Sequence, residues 1–265
     1  MSMQIIDWPR FLKNPLESAL TIGVFDGIHI GHRELIARVV RRGPNPTVIT
    51  FRENPKKLLA AAGTQTVNFE GEICSLRQKL AVFEKLGMNR IVLIDFSEEF
   101  SKLEGRAFFD LLRDPGRVIH LVIGSDFRCG YRQDTGADSI VEMSGRLGIS
   151  AEVVPPVSLA DSPVSSSRIR SAILSGDLRQ AALLLGRNYE LDLAGIGSWN
   201  SVQSGGVFYD LRSANRVAPV KGRYPVLLNP VRIKAALGAD VRETLAFTEN
   251  GKLYLPEKAE SIEFI

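Results

Sequence analysis

The chain has 265 residues, 45% hydrophobic and 24% charged, with a formal net charge of +3. That length holds one full domain and a smaller second one, and the charge lacks the dense Lys/Arg clustering of a nucleic-acid binder. Two cysteines, Cys74 and Cys129, form no CxxC pair, and no apolar run reaches about 18 residues. A disulfide framework, a zinc cluster, a membrane span and a signal peptide are therefore not expected, and a reducing cytoplasm is.

In chain order, Leu20–Val24 reads as a strand, Glu34–Arg41 as a helix and Thr47–Phe51 as a β-branched strand. Ser75 and Gln78 have the spacing of a capping box, with Leu80, Phe83 and Leu86 on one face of the helix that follows. Ile91–Ile94 and Ile119–Ile123 are continuous apolar runs of the kind buried in parallel sheets. Phe108, Leu111 and Leu112 mark a helix between them. Ser139–Leu147 and Ser166–Leu174 read as helices around a strand at Ala151–Val154. Strands alternating with helices predict an α/β fold, a doubly wound parallel sheet of Rossmann-like type. Past Leu185-Gly-Arg-Asn-Tyr189 the texture changes. Short strands are expected at Gly206–Tyr209, Tyr224–Leu228, Leu253–Leu255 and Ile262–Ile265. The expected boundary makes residues 1–187 the α/β domain and residues 188–265 a second, smaller β-rich domain.

Four loops carry chemistry. The first is Thr21-Ile-Gly-Val-Phe-Asp-Gly-Ile-His-Ile-Gly-His32, a strand running through a glycine-rich turn into a helix. Such a turn aims backbone N–H groups and the positive end of a helix dipole at an anion. Gly23, Gly27 and Gly31 admit close approach of backbone to phosphate. His29 and His32 stand three apart near the helix start, where both can face a triphosphate and stabilise charge developing on it. The alternative is a tight turn with a capping histidine. The second loop is Val164–Arg170. Its hydroxyls Ser165, Ser166 and Ser167 enter a helix whose first turns hold Arg168 and Arg170, cations that the dipole disfavours there and that phosphate would satisfy. A capped surface helix with solvated arginines is the other reading. The third, Gly124–Gly130 with Asp126, Phe127 and Arg128, and the fourth, Phe51–Pro55 with Asn54, follow strands at the edge where α/β sheets bind ligands. Each could also be an ordinary strand-to-loop turn.

Together these loops resemble the adenylyltransferase module of the prokaryotic bifunctional riboflavin kinase/FAD synthetases. The family pattern T-I-G-x-F-D-G-x-H-x-G-H is matched by Thr21–His32, and T-F-x-P-H-P is similar to Thr50–Pro55, with Asn54 for the usual His. The R/K-K-L-x-x-L-x-x-L-G segment resembles Arg77–Gly87. G-x-D-F-R-F-G resembles Gly124–Gly130, with Cys129 for Phe. S-S-T-R-I-R resembles Ser165–Arg170, with Ser167 for Thr, and the A-x-x-L-G-R-x-Y boundary resembles Ala182–Tyr189. The resemblance covers about residues 15–190. It implies transfer of the adenylyl group of ATP to FMN, with Mg2+ arriving on the ATP phosphates and little protein ligation. His29 and His32 would contact those phosphates, within a pocket that includes Gly23, Phe25, Asp26, Gly27 and Gly31. Ser165, Ser166, Ser167, Arg168 and Arg170 would hold the β- and γ-phosphates. Asn54, Asp126, Phe127 and Arg128 would lie on the FMN side.

The C-terminal part departs from the family's kinase barrel, whose signature runs G-x-V-x-H-G-x-x-x-G-R-x-L-G-F-P-T-A-N and then P-x-x-G-V-Y. Gly195 matches the first glycine, but the His-Gly pair is absent, and Asp210–Asn215 replaces G-F-P-T-A-N. Ser213 and Asn215 keep the hydroxyl and amide of a vestigial magnesium and phosphate site, and Glu263 stands near the place of a catalytic base. A reduced barrel without riboflavin kinase activity is expected. Three alternatives stay open: a bifunctional enzyme, a nucleotidyltransferase with another acceptor, and a flavin- or ATP-binding protein without turnover.

Overall fold

The computed structural model describes residues 3–61, 70–200, 206–211, 215–229, 242–249 and 251–265. The chain divides into two compact units, residues 1–68 with 79–163 and residues 69–78 with 164–265.

The first unit is built on six strands: β1 (Gln4–Asp7), β2 (Ser18–Ile22), β3 (Thr47–Phe51), β4 (Arg90–Ile94), β5 (Val118–Gly124) and β6 (Ser150–Val154). Their spatial order is β1-β4-β3-β2-β5-β6, and every neighbouring pair is parallel. Every residue of β2 and β4 is buried, as a parallel sheet covered on both faces requires, which is why the run Ile91–Ile94 is apolar throughout rather than alternating. Leu20, Ile49, Val92 and Leu121 from the sheet join Phe109, Leu112 and Ile140 from helices in one core. The doubly wound α/β expectation holds. From β2 the chain winds outward through β3 to β4, then returns to β5 on the other flank. That reversal between β2 and β5 opens a crevice at their carboxyl ends, where such sheets bind ligands.

Several boundaries differ from the sequence reading. The strand expected over Leu20–Val24 ends at Ile22, because the glycine turn begins at once. The helix after it, α2 (Ile30–Arg42), starts four residues before Glu34, because His29 caps it. Strand β1, helix α1 (Trp8–Lys13) and helix α3 (Pro55–Ala61) were not anticipated. The capping box is present before α4 (Leu76–Lys85), which α5 (Glu98–Ser101), α6 (Gly105–Arg113) and α7 (Ala137–Arg146) follow in the chain: the Ser75 N–H donates to Gln78 Oε1 at 3.0 Å, and the Gln78 N–H donates to Ser75 Oγ at 3.2 Å.

The second unit holds a seven-stranded antiparallel sheet of β7 (Glu190–Asp192), β8 (Ser198–Asn200), β9 (Val207–Asp210), β10 (Gly222–Asn229), β11 (Arg242–Glu249), β12 (Lys252–Leu255) and β13 (Ser261–Phe264). The order is β7-β13-β10-β11-β12-β9-β8. By compactness α8 (Ser166–Ser175) and α9 (Leu178–Leu185) group with this sheet, whereas the texture change near residue 187 marks where helix gives way to strand. The segment around residues 70–78 is tied into the same unit by charged contacts. Arg77 Nη2 pairs with Asp192 at 2.6 Å, Ser75 Oγ donates to the same carboxylate, and Arg216 pairs with Glu72 at 2.8 Å. Burial pushes the Asp192 pKa up, but the Arg77 and Ser75 hydrogen bonds and the Ala194 N–H outweigh it, so the carboxyl titrates below 3.8.

Candidate functional site

The turn from β2 to α2 takes unusual backbone conformations. Phe25, Gly27 and Ile28 all have positive φ, at 52°, 83° and 41°. Glycine does this freely, but a β-branched isoleucine does so only where its surroundings enforce it. Two buried donors supply that enforcement. The Val24 carbonyl accepts from Thr50 Oγ1 at 3.2 Å and from Lys79 Nζ at 3.0 Å, and the Gly23 N–H donates to the Ile49 carbonyl at 3.1 Å. Lys79 is only 5% exposed. It lies on the inward face of α4 beside Phe83. The sequence reading expected apolar side chains on that face and gave Lys79 no role.

His29 caps α2. Its Nδ1 accepts the His32 N–H at 3.3 Å, so the proton of the neutral imidazole sits on Nε2, which becomes a donor. The His29 and His32 rings are stacked with centroids 3.5 Å apart and planes 19° off parallel. Gly31 makes this geometry attainable, since a Cβ there would sit 3.3 Å from the His29 ring. Phe25 closes the other side. Its ring meets His32 at 5.1 Å and Phe83 at 5.7 Å, both edge-on, so this residue of the expected pocket is a packed support. Burial, then the neighbouring His29 and Lys79, hold the His32 pKa well below 6.5. His32 is therefore a neutral imidazole at pH 7, and its Nδ1 has no hydrogen-bond partner among the described residues. Asp26 is buried within the turn. The arrangement is a helix N-terminus with two neutral, donor-capable imidazoles beside it, suited to an anion whose charge grows during reaction.

The other expected residues fall as follows. Asp126 follows the carboxyl end of β5, next to β2 in the sheet, and is exposed. Phe127 packs partly against the core. Arg128 donates from Nε and Nη2 to the Gln133 carbonyl, at 3.2 and 3.0 Å, so its guanidinium braces its own loop. Burial pushes the neighbouring Cys129 thiol up to about 12. Asn54 is buried after β3, with Oδ1 accepting the Lys56 N–H at 3.0 Å. In the second unit Ser165 caps α8, Oγ accepting the Arg168 N–H at 3.2 Å. Ser166 and Arg168 are half-buried, Ser167 is exposed, and Arg170 donates from Nε to the Gly71 carbonyl at 3.0 Å. Asn215 is exposed and Glu263 accepts from Asn188 Nδ2 at 3.0 Å. Ser213 lies outside the described residues. Among the described residues no group of three or more His, Cys, Asp or Glu side chains is arranged to hold a metal ion.

The sequence model of the family described as FAD synthetase matches residues 12–168, more than half of the chain and all of the β2–α2 turn. The chain belongs to the FAD synthetase family. Among similar family members is the bifunctional riboflavin kinase/FMN adenylyltransferase of Bacillus subtilis, 30% identical over 178 residues, or 65% of this chain and 54% of that protein. The protein of the same description from Haemophilus influenzae is 27% identical over 82% of this chain and 70% of its own length. The chain thus matches about half the length of its Bacillus relative. A crystal structure described as a macrolide-efflux protein from Streptococcus pneumoniae superposes with a TM-score of 0.76. It is 21% identical and covers 99% of this chain and 89% of that one, a likeness of fold. No helix among the described residues is long and apolar enough to cross a membrane.

Proposed function

We propose that this chain transfers the adenylyl group of ATP to the phosphate of FMN, giving FAD and pyrophosphate. The observation that carries this reading is the stacked pair His29 and His32 at the N-terminus of α2, beside the reversal point of the sheet. A phosphate oxygen of FMN attacks the α-phosphorus, and the bond from that phosphorus to the β-phosphate bridging oxygen breaks. Positioning and charge stabilisation suffice for this step, without a protein nucleophile. His29 offers Nε2–H, and His32 adds a second neutral ring whose proton inventory stays fixed through pH 7. Magnesium enters as part of the nucleotide substrate, with phosphates as its main ligands.

In this reading Ser165, Ser166, Ser167 and Arg168 form a second phosphate-binding element at the start of α8. Asn54, Asp126 and Phe127 lie on the flavin side. We assign no riboflavin kinase activity to residues 188–265, because Asp210–Asn215 departs from the glycine-rich kinase signature. The free cysteines Cys74 and Cys129 support a cytoplasmic location. The test is a chromatographic assay with ATP and magnesium, given FMN in one reaction and riboflavin in the other. FAD from FMN alone is the expected result. Product from riboflavin would restore the kinase, and no product in either reaction would overturn the proposal.

A further inference from the structure

At the amino-terminal rim of the first sheet, the far end from the histidine pair, Gln4 of β1 pairs with Arg90 of β4 beside a groove of about 690 Å³. Arg10, Lys13 and Arg90 line this groove, and none of its lining residues is acidic. Arg10 and Lys13 close α1, where cations suit the helix dipole, so by themselves they need no ligand. Arg90 has no such explanation. It is 4% exposed, yet only Nη2 has a polar partner, the Asn14 carbonyl at 3.0 Å, while the guanidinium lies 5.5 Å over the Phe11 ring. Its Nε and Nη1 have no hydrogen-bond partner among the described residues. A buried charge that lacks a counterion is destabilising, and proteins keep one mainly where something external completes it. Burial and the nearby Arg10 both push the Arg90 pKa down, as expected of a cation short of negative charge.

We propose that this groove binds the phosphate group of a small molecule, held by Arg90, Arg10 and Lys13, as a site separate from the histidine pair. The planar guanidinium fork matches phosphate oxygens in a two-point contact, and the three cations match a dianion better than a single carboxylate. Ile5 and Leu16, 47% and 39% exposed, border the cations and offer apolar contact to an organic body attached to that phosphate.

The test titrates inorganic phosphate, and separately AMP, at constant ionic strength. The proteins are the full chain, Arg90→Met and the double variant Arg10→Ala/Lys13→Ala, followed by backbone amide NMR. Saturable shifts over residues 4–16 are expected in the unaltered chain, weakened at least about tenfold in both variants. Any shifts over residues 23–33 should be equal in all three proteins, so the result does not depend on the catalytic reading. AMP binding tenfold tighter than phosphate assigns the groove to an organic phosphate, and equal binding assigns it to free phosphate; both support the site. Equal affinity across the three proteins, or shifts confined to residues 23–33, overturns it. Since Arg10 and Lys13 are exposed, the double variant decides the matter even if Arg90→Met folds poorly.

Discussion

The two rims of the first sheet each hold a buried cation, and the cations are used in opposite ways. At the carboxyl rim Lys79 donates to the Val24 carbonyl, shares it with Thr50, and helps keep His32 uncharged. At the amino rim the Arg90 side chain makes one hydrogen bond and leaves two nitrogens without a partner among the described residues. A buried cation with a carbonyl in reach fixes backbone geometry. One with orphaned N–H groups points to a solute.

The sharpest way to break this comparison is kinetic. His29→Ala should lower the rate of adenylyl transfer by about 10²-fold or more, as loss of a transition-state donor does, while Arg90→Met leaves that rate within about twofold. Equal losses in steady-state assays would erase the distinction between the rims. Lys79→Met comes next. It should cost about 1.5–3 kcal/mol in denaturant unfolding, the range for losing a hydrogen bond to a charged group, and NMR titration should show the His32 pKa moving up toward 6.5. Arg90→Met should leave that titration where it was.

A smaller effect follows from the depressed His32 pKa. Below pH 6.5 the unfolded chain takes up a proton that the folded His32 refuses, so stability is full above 6.5 and declines as pH falls toward the folded value. Unfolding free energies measured across that window should show this slope, and His32→Gln should flatten it. A slope that persists in the variant would assign the proton to another group. The smallest effect belongs to residues 188–265: Asn215→Ala should leave FAD synthesis nearly unchanged, and a large loss in the same assay would give that segment a part in the reaction.

Much of the first unit was legible because parallel strands announce themselves. Runs such as Ile91–Ile94 are apolar at every position since both faces are covered. The glycine turn and the capping box were legible because each rests on contacts between residues three apart. What escaped depends on distant neighbours. Lys79 shares a helix face with Phe83, and only the Val24 carbonyl, far away in the chain, makes a lysine fit there. Arg90 directly precedes the run Ile91–Ile94 and belongs to no motif. Phe25, Arg128 and Arg170, assigned to ligands from motif position, also have internal contacts that the motif does not announce, to His32 and Phe83, to Gln133 and to Gly71 respectively. Strand β1 and helix α1 are too short for periodicity to show.

The thiol at Cys129 has a practical consequence. A group held near 12 is almost wholly protonated at pH 8, and electrophilic labels react with the thiolate. Cys74 is shielded by burial, 4% exposed. The native chain is therefore close to blank toward maleimide dyes. A single introduced cysteine, for instance Leu183→Cys at a side chain 60% exposed, would carry a fluorophore alone, with no native cysteine to remove first.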